Sequence, residues 1–255
     1  DGQGNRREQL EMQGAAQRTP THTGLVGEGG ASTQHSRSNA QQVDSLIVMD
    51  APPQHEDCRP FLHVAGLFED AGAHVPHVYA QDLEQGFLLL SDLGDTTYLQ
   101  ALRGRDTDAV KGLYGAATDA LIRIQLASRE HELPPYDEAL LLREMRLFPE
   151  WYIARHLNVT LSDAQNAKLE TVFARIVANN LAQPRVYVHR DYHSRNLMQS
   201  DPNPGILDFQ DAVYGPITYD LASLFKDAYI RWEEATIMDW LIRYWQPARQ
   251  AGPPA

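Results

Sequence analysis

The residues with the clearest chemical potential lie in one run, Val188-His189-Arg190-Asp191-Tyr192-His193-Ser194-Arg195-Asn196-Leu197-Met198, followed closely by Gly205-Ile206-Leu207-Asp208-Phe209-Gln210-Asp211. Two carboxylates and an amide recur there at short spacing: Asp191, Asn196 five residues on, and Asp208 at the end of the next apolar stretch. These are the types that phosphoryl transfer needs. A hydroxyl nucleophile needs a carboxylate to orient it and take its proton. Nucleotide phosphates need magnesium held by oxygen ligands. Asp191 is therefore the candidate catalytic base, and Asn196 and Asp208 are the candidate ligands of Mg2+ and of the ATP phosphates it carries.

The order H-R-D-x4-N, then D-F-x, is that of protein kinases. His193 and Arg195 flank the base and are candidate acceptor contacts. Asp211 could bind metal, contact an acceptor or cap a turn. His189 reads as a brace for the loop, because an imidazole is a poor magnesium ligand. Asp220, in Tyr219-Asp220-Leu221-Ala222, suits the start of a helix.

The elements around this run are legible from period and punctuation. Ser45-Leu-Ile-Val-Met49 reads as a short buried strand, stopped by Asp50 and Pro52-Pro53. A helix is expected from about Glu56 to Ala71, with Phe61, Val64, Ala65 and Phe68 inward and Glu56 and Asp57 at its positive end. Val75 to Ala80 and Phe87 to Leu90 read as strands with a turn at Gly86. Ser91-Asp92-Leu93-Gly94 reads as a hinge, where backbone groups at Asp92 and Leu93 could meet an adenine. Helices are expected over 108–127, over 137–157 with a break at Pro149, and from a Ser162 cap to about Asn180 with Leu169, Val172, Phe173 and Ile176 inward. Phe148 and Tyr152 belong to the apolar face of the second. Arg185 to Val188 and Gly205 to Leu207 read as strands. Tyr219 to Ile230 and Ala235 to Arg249 read as the last helices.

The implied fold is α+β and two-lobed: a small mixed lobe over 44–94 including the hinge, and a larger helical lobe over 95–255. Residues 1–43, rich in Gln, Gly, Ser and Thr, are expected to be disordered or foreign to the fold. The glycines at 24–30 fit neither G-x-G-x-x-G nor the Walker pattern.

Composition narrows the function. Acidic residues outnumber basic ones by 34 to 22, which disfavours nonspecific nucleic-acid binding. No apolar run approaches the roughly 20 residues a membrane span needs. The single cysteine, Cys58, rules out an internal disulfide and fits a cytoplasmic setting. The ten histidines form no zinc pattern. One expected part is missing: the lysines are Lys111, Lys168 and Lys226, none of them near the strand at Ser45–Met49. Protein kinases anchor the nucleotide phosphates with such a lysine, paired to a helix glutamate. Arg37 or Arg59 could stand in, with Glu56 or Glu69 as acidic partner.

The catalytic strings resemble the aminoglycoside-phosphotransferase-like superfamily, which carries H-x-D-x4-N and then D-x-x-D; His189, Asp191, Asn196, Asp208 and Asp211 stand at those positions. VHRDYHSRNLM, PGILDFQDAVYGPITYDLASLFKDAYI, SLIVMDAPP and QGFLLLSDLG are similar to one branch, the bacterial anomeric sugar kinases of cell-wall recycling. The resemblance runs from about Ser45 onward. It implies a protein-kinase-like fold, ATP and Mg2+ as cofactors, and the C1 hydroxyl of N-acetylmuramate or N-acetylglucosamine as acceptor, with Arg195 placed for a lactyl carboxylate. It also implies that Asp220 is buried and holds the catalytic loop by its backbone N–H groups. The family's opening hairpin has no counterpart in residues 1–43, and its further C-terminal helices would lie beyond Ala255, so a truncated chain is expected. Two other readings stay open: a kinase of an aminoglycoside, choline or another small alcohol, and an inactive homologue acting as a binding module.

Overall fold

The computed structural model describes residues 17–20, 45–104 and 107–252. The small lobe is built on an antiparallel sheet. Its strands are β1 (Gln17–Pro20), β2 (Ser45–Asp50), β3 (Val78–Asp82) and β4 (Phe87–Ser91), in the order β1-β2-β4-β3. The register runs Leu46↔Ser91 to Asp50↔Phe87. Strand β1 comes from the segment expected to lie outside the fold, and pairs Gln17↔Val48 through Pro20↔Ser45. An edge strand joins by backbone hydrogen bonds, so it needs none of the apolar pattern by which strands are recognised. The rest of that segment, with the glycines at 24–30 and Arg37, lies outside the described residues.

Helix α1 (Arg59–Asp70) starts later than the acidic pair suggests. Pro60 sits in its first turn, where a missing N–H costs nothing. Asp57 stays outside the helix and binds Arg59 through both its backbone N–H and its guanidinium. The inward face holds Val64, Ala65, Leu67 and Phe68.

The larger lobe begins with the single turn α2 (Tyr98–Ala101), then α3 (Thr107–Leu126), whose Ala117, Leu121 and Ile124 are fully buried. Helix α4 (Glu138–Leu147) gives way at Phe148 to a π-helical segment, Phe148–His156, with Pro149 in its first turn. Phe148 and Tyr152, expected inward, are 48% and 49% exposed and stack on each other. The wider π turn rotates them away from the stripe that α4 buries.

Helix α5 (Asp163–Leu181) opens with a Ser162–Gln165 capping box. It buries Phe173 and Val177 but leaves Val172 and Ile176 outside. Each exposed residue is one position, about 100° of helix, from a buried one. Strands β5 (Arg185–Val188) and β8 (Val213–Pro216) form one antiparallel pair, and β6 (Leu197–Met198) and β7 (Gly205–Ile206) another. Helix α6 (Tyr219–Phe225) stops short of Ile230, because Asp227 turns back to accept the Tyr229 backbone N–H at 2.8 Å. Helix α7 (Glu234–Ala251) buries Ile237, Trp240, Tyr244 and Ala248.

One continuous core joins α1, α3 and α7 to Tyr192 and Phe209 of the candidate site. Phe209 lies against Phe61 and Phe68 of α1, with ring centroids 4.9 Å and 5.7 Å apart. The hinge rests directly on the larger lobe. A Cβ at Gly205 would stand 3.0 Å from Leu93 Cδ1 and 2.9 Å from Ser200 Oγ, so the glycine lets Leu93 and Ser200 approach β7 closely. The His74 carbonyl accepts the Ile206 N–H at 2.8 Å across the same junction. No helix among the described residues is long and apolar enough to cross a membrane.

Candidate active site

Strand β5, buried at Val186, Tyr187 and Val188, delivers the chain to His189. His189 is itself buried. Its Nε2–H donates to the Leu207 carbonyl at 2.9 Å, and its Nδ1 accepts the Asp191 N–H at 3.3 Å. Burial pushes its pKa down to about 3. A neutral ring with both nitrogens engaged braces the loop and is not free to act as a base.

Asp220 grips the same turn from below. Its Oδ2 accepts the His189 N–H at 2.8 Å and its Oδ1 the Arg190 N–H at 3.0 Å. Between these bonds Arg190 takes a left-handed backbone, φ 78°. That is a conformation of order 1–3 kcal/mol above the favoured regions for an ordinary residue, and it persists only when neighbours hold it. Burial pushes the Asp220 carboxyl up to about 7, and the two N–H groups pull partly the other way. With a folded value above the unfolded one, its contribution to stability is full below about pH 4 and is lost as pH rises through about 7. The stability of the wild type over Asp220→Asn is accordingly expected to be smaller at pH 8 than at pH 5 in urea melts. A margin that grew with pH would mean that the fold favours the ionised carboxylate.

Asn196 and Asp208 meet because β6 and β7 are paired. The register Leu197↔Ile206 sets the residues flanking them side by side, and the Leu207 N–H donates to the Asn196 carbonyl at 2.9 Å. Asn196 Nδ2 reaches the Asp191 backbone carbonyl at 3.0 Å and Asp208 Oδ2 at 3.2 Å. Asp208 Oδ1 accepts from Gln210 at 2.8 Å. Asp208 is also left-handed, φ 63°, a conformation that Asp tolerates better than most residues. Thus Asp191, Asn196 and Asp208, named from residue type, spacing and order, lie together, Asp191 through its backbone carbonyl. Burial raises the Asp191 carboxyl above its ordinary value. His193 opposes this, and the charges of Asp208 and Asp211 add to it.

A divalent cation is implied by this chemistry, and the donor set suits one. Asn196 has spent its amide N–H groups on Asp191 and Asp208, so its remaining side-chain atom is an oxygen. Each Asp208 oxygen keeps accepting capacity beyond its one bond. Magnesium takes one or two such protein oxygens and completes its shell with phosphates and water. Among the described residues no group of three or more His, Cys, Asp or Glu could hold a metal by itself.

The expected acceptor residues divide. His193 and Arg195 gather around Tyr229: the His193 ring meets it edge-on at 5.5 Å, and the Arg195 guanidinium lies 4.9 Å from the ring centre. Asp211 instead lies beside Arg190, with Nη1 to Oδ1 at 3.8 Å. At the hinge, Asp92 accepts from the Ser45 hydroxyl at 2.7 Å and from the Gly94 N–H at 2.9 Å, and Leu93 is buried. Arg59, a candidate stand-in for the missing lysine, pairs with Asp57, and Glu69, a candidate acidic partner, pairs with His77.

Three residues escaped sequence reasoning. Buried Asp227 accepts the Ser194 N–H at 3.0 Å and so ties the loop to the turn carrying Tyr229. Tyr229 presents a half-exposed ring. Glu144, on α4, receives the Arg190 guanidinium. Their only sequence signal is type, since an isolated acid or tyrosine in a helical pattern looks like surface.

The chain is 53% identical over 210 residues to an N-acetylmuramate/N-acetylglucosamine kinase of Pseudomonas putida, covering 82% of this chain and 61% of that protein. It is 45% identical over 222 residues to the Neisseria meningitidis protein of the same name, covering 87% and 66%. The chain thus spans about three-fifths to two-thirds of the length of these curated relatives. In fold it is similar to ADP-bound aminoglycoside phosphotransferase APH(2'')-Ib, with a TM-score of 0.57 at 15% identity, covering 81% of this chain and 73% of that one. It is also similar to choline kinase LicA from Streptococcus pneumoniae, with a TM-score of 0.56 at 14% identity, covering 89% and 76%. The α+β, two-lobed architecture is therefore the protein-kinase-like one. The Phosphotransferase enzyme family matches residues 26–254, and the chain belongs to that family.

Proposed function

We propose that this chain carries the catalytic core of an ATP-dependent kinase that phosphorylates the anomeric hydroxyl of N-acetylmuramate and N-acetylglucosamine in cell-wall recycling. The observation that carries the reading is the convergence of Asp191, Asn196 and Asp208 on one braced loop, in a chain about half identical to kinases of that name. Asp191 orients the C1 hydroxyl and takes its proton as the oxygen attacks the γ-phosphorus of ATP, the bond to the β,γ-bridging oxygen breaks and ADP leaves. Its raised pKa brings it nearer the working pH, which favours a general base. Asn196 and Asp208 hold magnesium, which when bound neutralises charge on the nucleotide phosphates. No covalent enzyme intermediate is needed, because positioning and charge stabilisation carry the reaction.

Asp92 and Leu93 flank the nucleotide at the hinge. On the acceptor side, Tyr229 offers an aromatic face for a sugar ring. Arg195 offers a cation for the lactyl carboxylate of the muramate, and His193 lies between this pair and the base. Asp211 faces the acceptor hydroxyls. A reaction that consumes ATP on small sugars fits a cytoplasmic setting.

The test is phosphorus–proton correlation NMR of the product formed from either amino sugar. Coupling from phosphorus to the anomeric proton is expected. Phosphate at C6, or turnover only with aminoglycosides or choline, would overturn the acceptor. A folded protein that neither binds ATP nor turns over any acceptor would instead make it a binding module.

A further inference from the structure

The catalytic loop contains a cation that the reaction does not use. Arg190 stands between the brace and the base, and its guanidinium is only 22% exposed. Its Nε is buried without a protein partner. Two carboxylates compete for the rest of it. Glu144 takes Nη2 in a close ion pair, while Asp211 is reached more loosely, at 3.3 Å through its backbone carbonyl and 3.8 Å through Oδ1. The Asp211 side chain remains 62% exposed.

Glu144 is itself built in. Its second oxygen accepts from the hydroxyls of Tyr136 and Tyr219, the latter at 3.2 Å. Burial pushes the Tyr219 hydroxyl up to about 12 and raises that of Tyr136 further, so both remain donors. Tyr136 is seated against bare backbone. A Cβ at Gly215 would come within 2.6 Å of the Tyr136 Cβ, so only glycine on β8 admits the ring there. Burial works against the Arg190 charge, and the Glu144 carboxylate, together with Asp211 and Tyr136, outweighs it. A half-buried guanidinium needs one full counter-charge, and a fork prefers a bidentate carboxylate.

We propose that Glu144 is a positioning residue: by taking the Arg190 Nη2 it leaves the Asp211 carboxylate only loosely held and available to the acceptor side of the site. Without that counter-charge, Arg190 would turn its fork onto Asp211 and withdraw it. This rests on the kinase reading above for its consequence, but not for its geometry.

Glu144→Gln is the suitable probe, because glutamine can still accept from both tyrosines while the charge is lost. Crystal structures of the wild type and Glu144→Gln test the geometry without activity. The Arg190–Asp211 separation is expected to contract from 3.8 Å to direct salt-bridge contact of about 2.8 Å. An unchanged separation overturns the proposal. In turnover, kcat is expected to fall by about 100-fold, with KM for ATP within about twofold. In an Asp211→Asn background the same change is expected to alter kcat by less than about twofold, since its target is gone. An equal loss in both backgrounds, or a lowered melting temperature with unchanged kcat, would make Glu144 a mere brace and overturn the proposal. If Glu144→Gln does not fold, Tyr136→Phe removes one donor that aims Glu144. A fall of about fivefold that vanishes with Asp211→Asn is then expected, and no dependence on Asp211 overturns the proposal. A wild type inactive on amino sugars would fail the acceptor assignment alone, and the crystallographic comparison would still decide this one.

Discussion

Replacing Asp191 by Asn is expected to lower turnover by about 100- to 10,000-fold while leaving ATP affinity within about twofold. The geometry separates the two effects. What Asp191 gives its neighbours is backbone: its carbonyl accepts from Asn196 Nδ2 and from the His193 N–H, and its N–H donates to His189. None of these bonds uses the carboxylate, so the loop should survive the substitution. The loss is therefore chemical. Because burial holds the carboxyl above the ordinary range, wild-type turnover is expected to rise with pH through a value above 3.8, as the ionised base accumulates. The asparagine variant is expected to lose that limb. Single-turnover rates across pH, with nucleotide binding measured in parallel, check both points. Near-wild-type turnover in the variant would remove Asp191 from the mechanism.

Removing the Asp208 carboxylate is expected to weaken magnesium-dependent ATP binding on the order of 10- to 100-fold. Binding without magnesium should change little. Asp208→Ala is the direct test, but position 208 is left-handed, φ 63°, and alanine is strained there. Asp208→Asn controls for this, since Asn tolerates the left-handed region and its one side-chain oxygen can still accept from Asn196 while the charge is lost. Calorimetric ATP titrations with and without magnesium, on both variants, separate ligand loss from backbone strain. A full magnesium effect in both would move the metal to other residues.

What could be read without a structure was local. Asp191, Asn196 and Asp208 fall within one strand–loop–strand–strand passage, and two-residue strands suffice to bring them together. Their chemistry needs fixed residue types at short separations, and such a pattern survives in one dimension. Asp220, which the family resemblance implies holds the loop, accepts the His189 and Arg190 N–H groups. Most helix and strand positions followed from apolar periods for the same local reason, though several ends did not.

What the tertiary structure decided lay in contacts between distant positions. Glu144 meets Arg190 across 46 residues, and Asp227 meets Ser194 across 33. Neither acid carries a mark of that meeting in its own neighbourhood. Val172 and Ile176 look like core in a helical period, yet lie outside because α5 has a single buried stripe and they sit just beside it. Strand β1 has no apolar pattern to betray it, since it joins the sheet edge by backbone pairing. A sequence states which groups are present and how far apart they lie along the chain. Which carboxylate neutralises a partly buried arginine depends on packing between helices and loops that only the folded chain brings together.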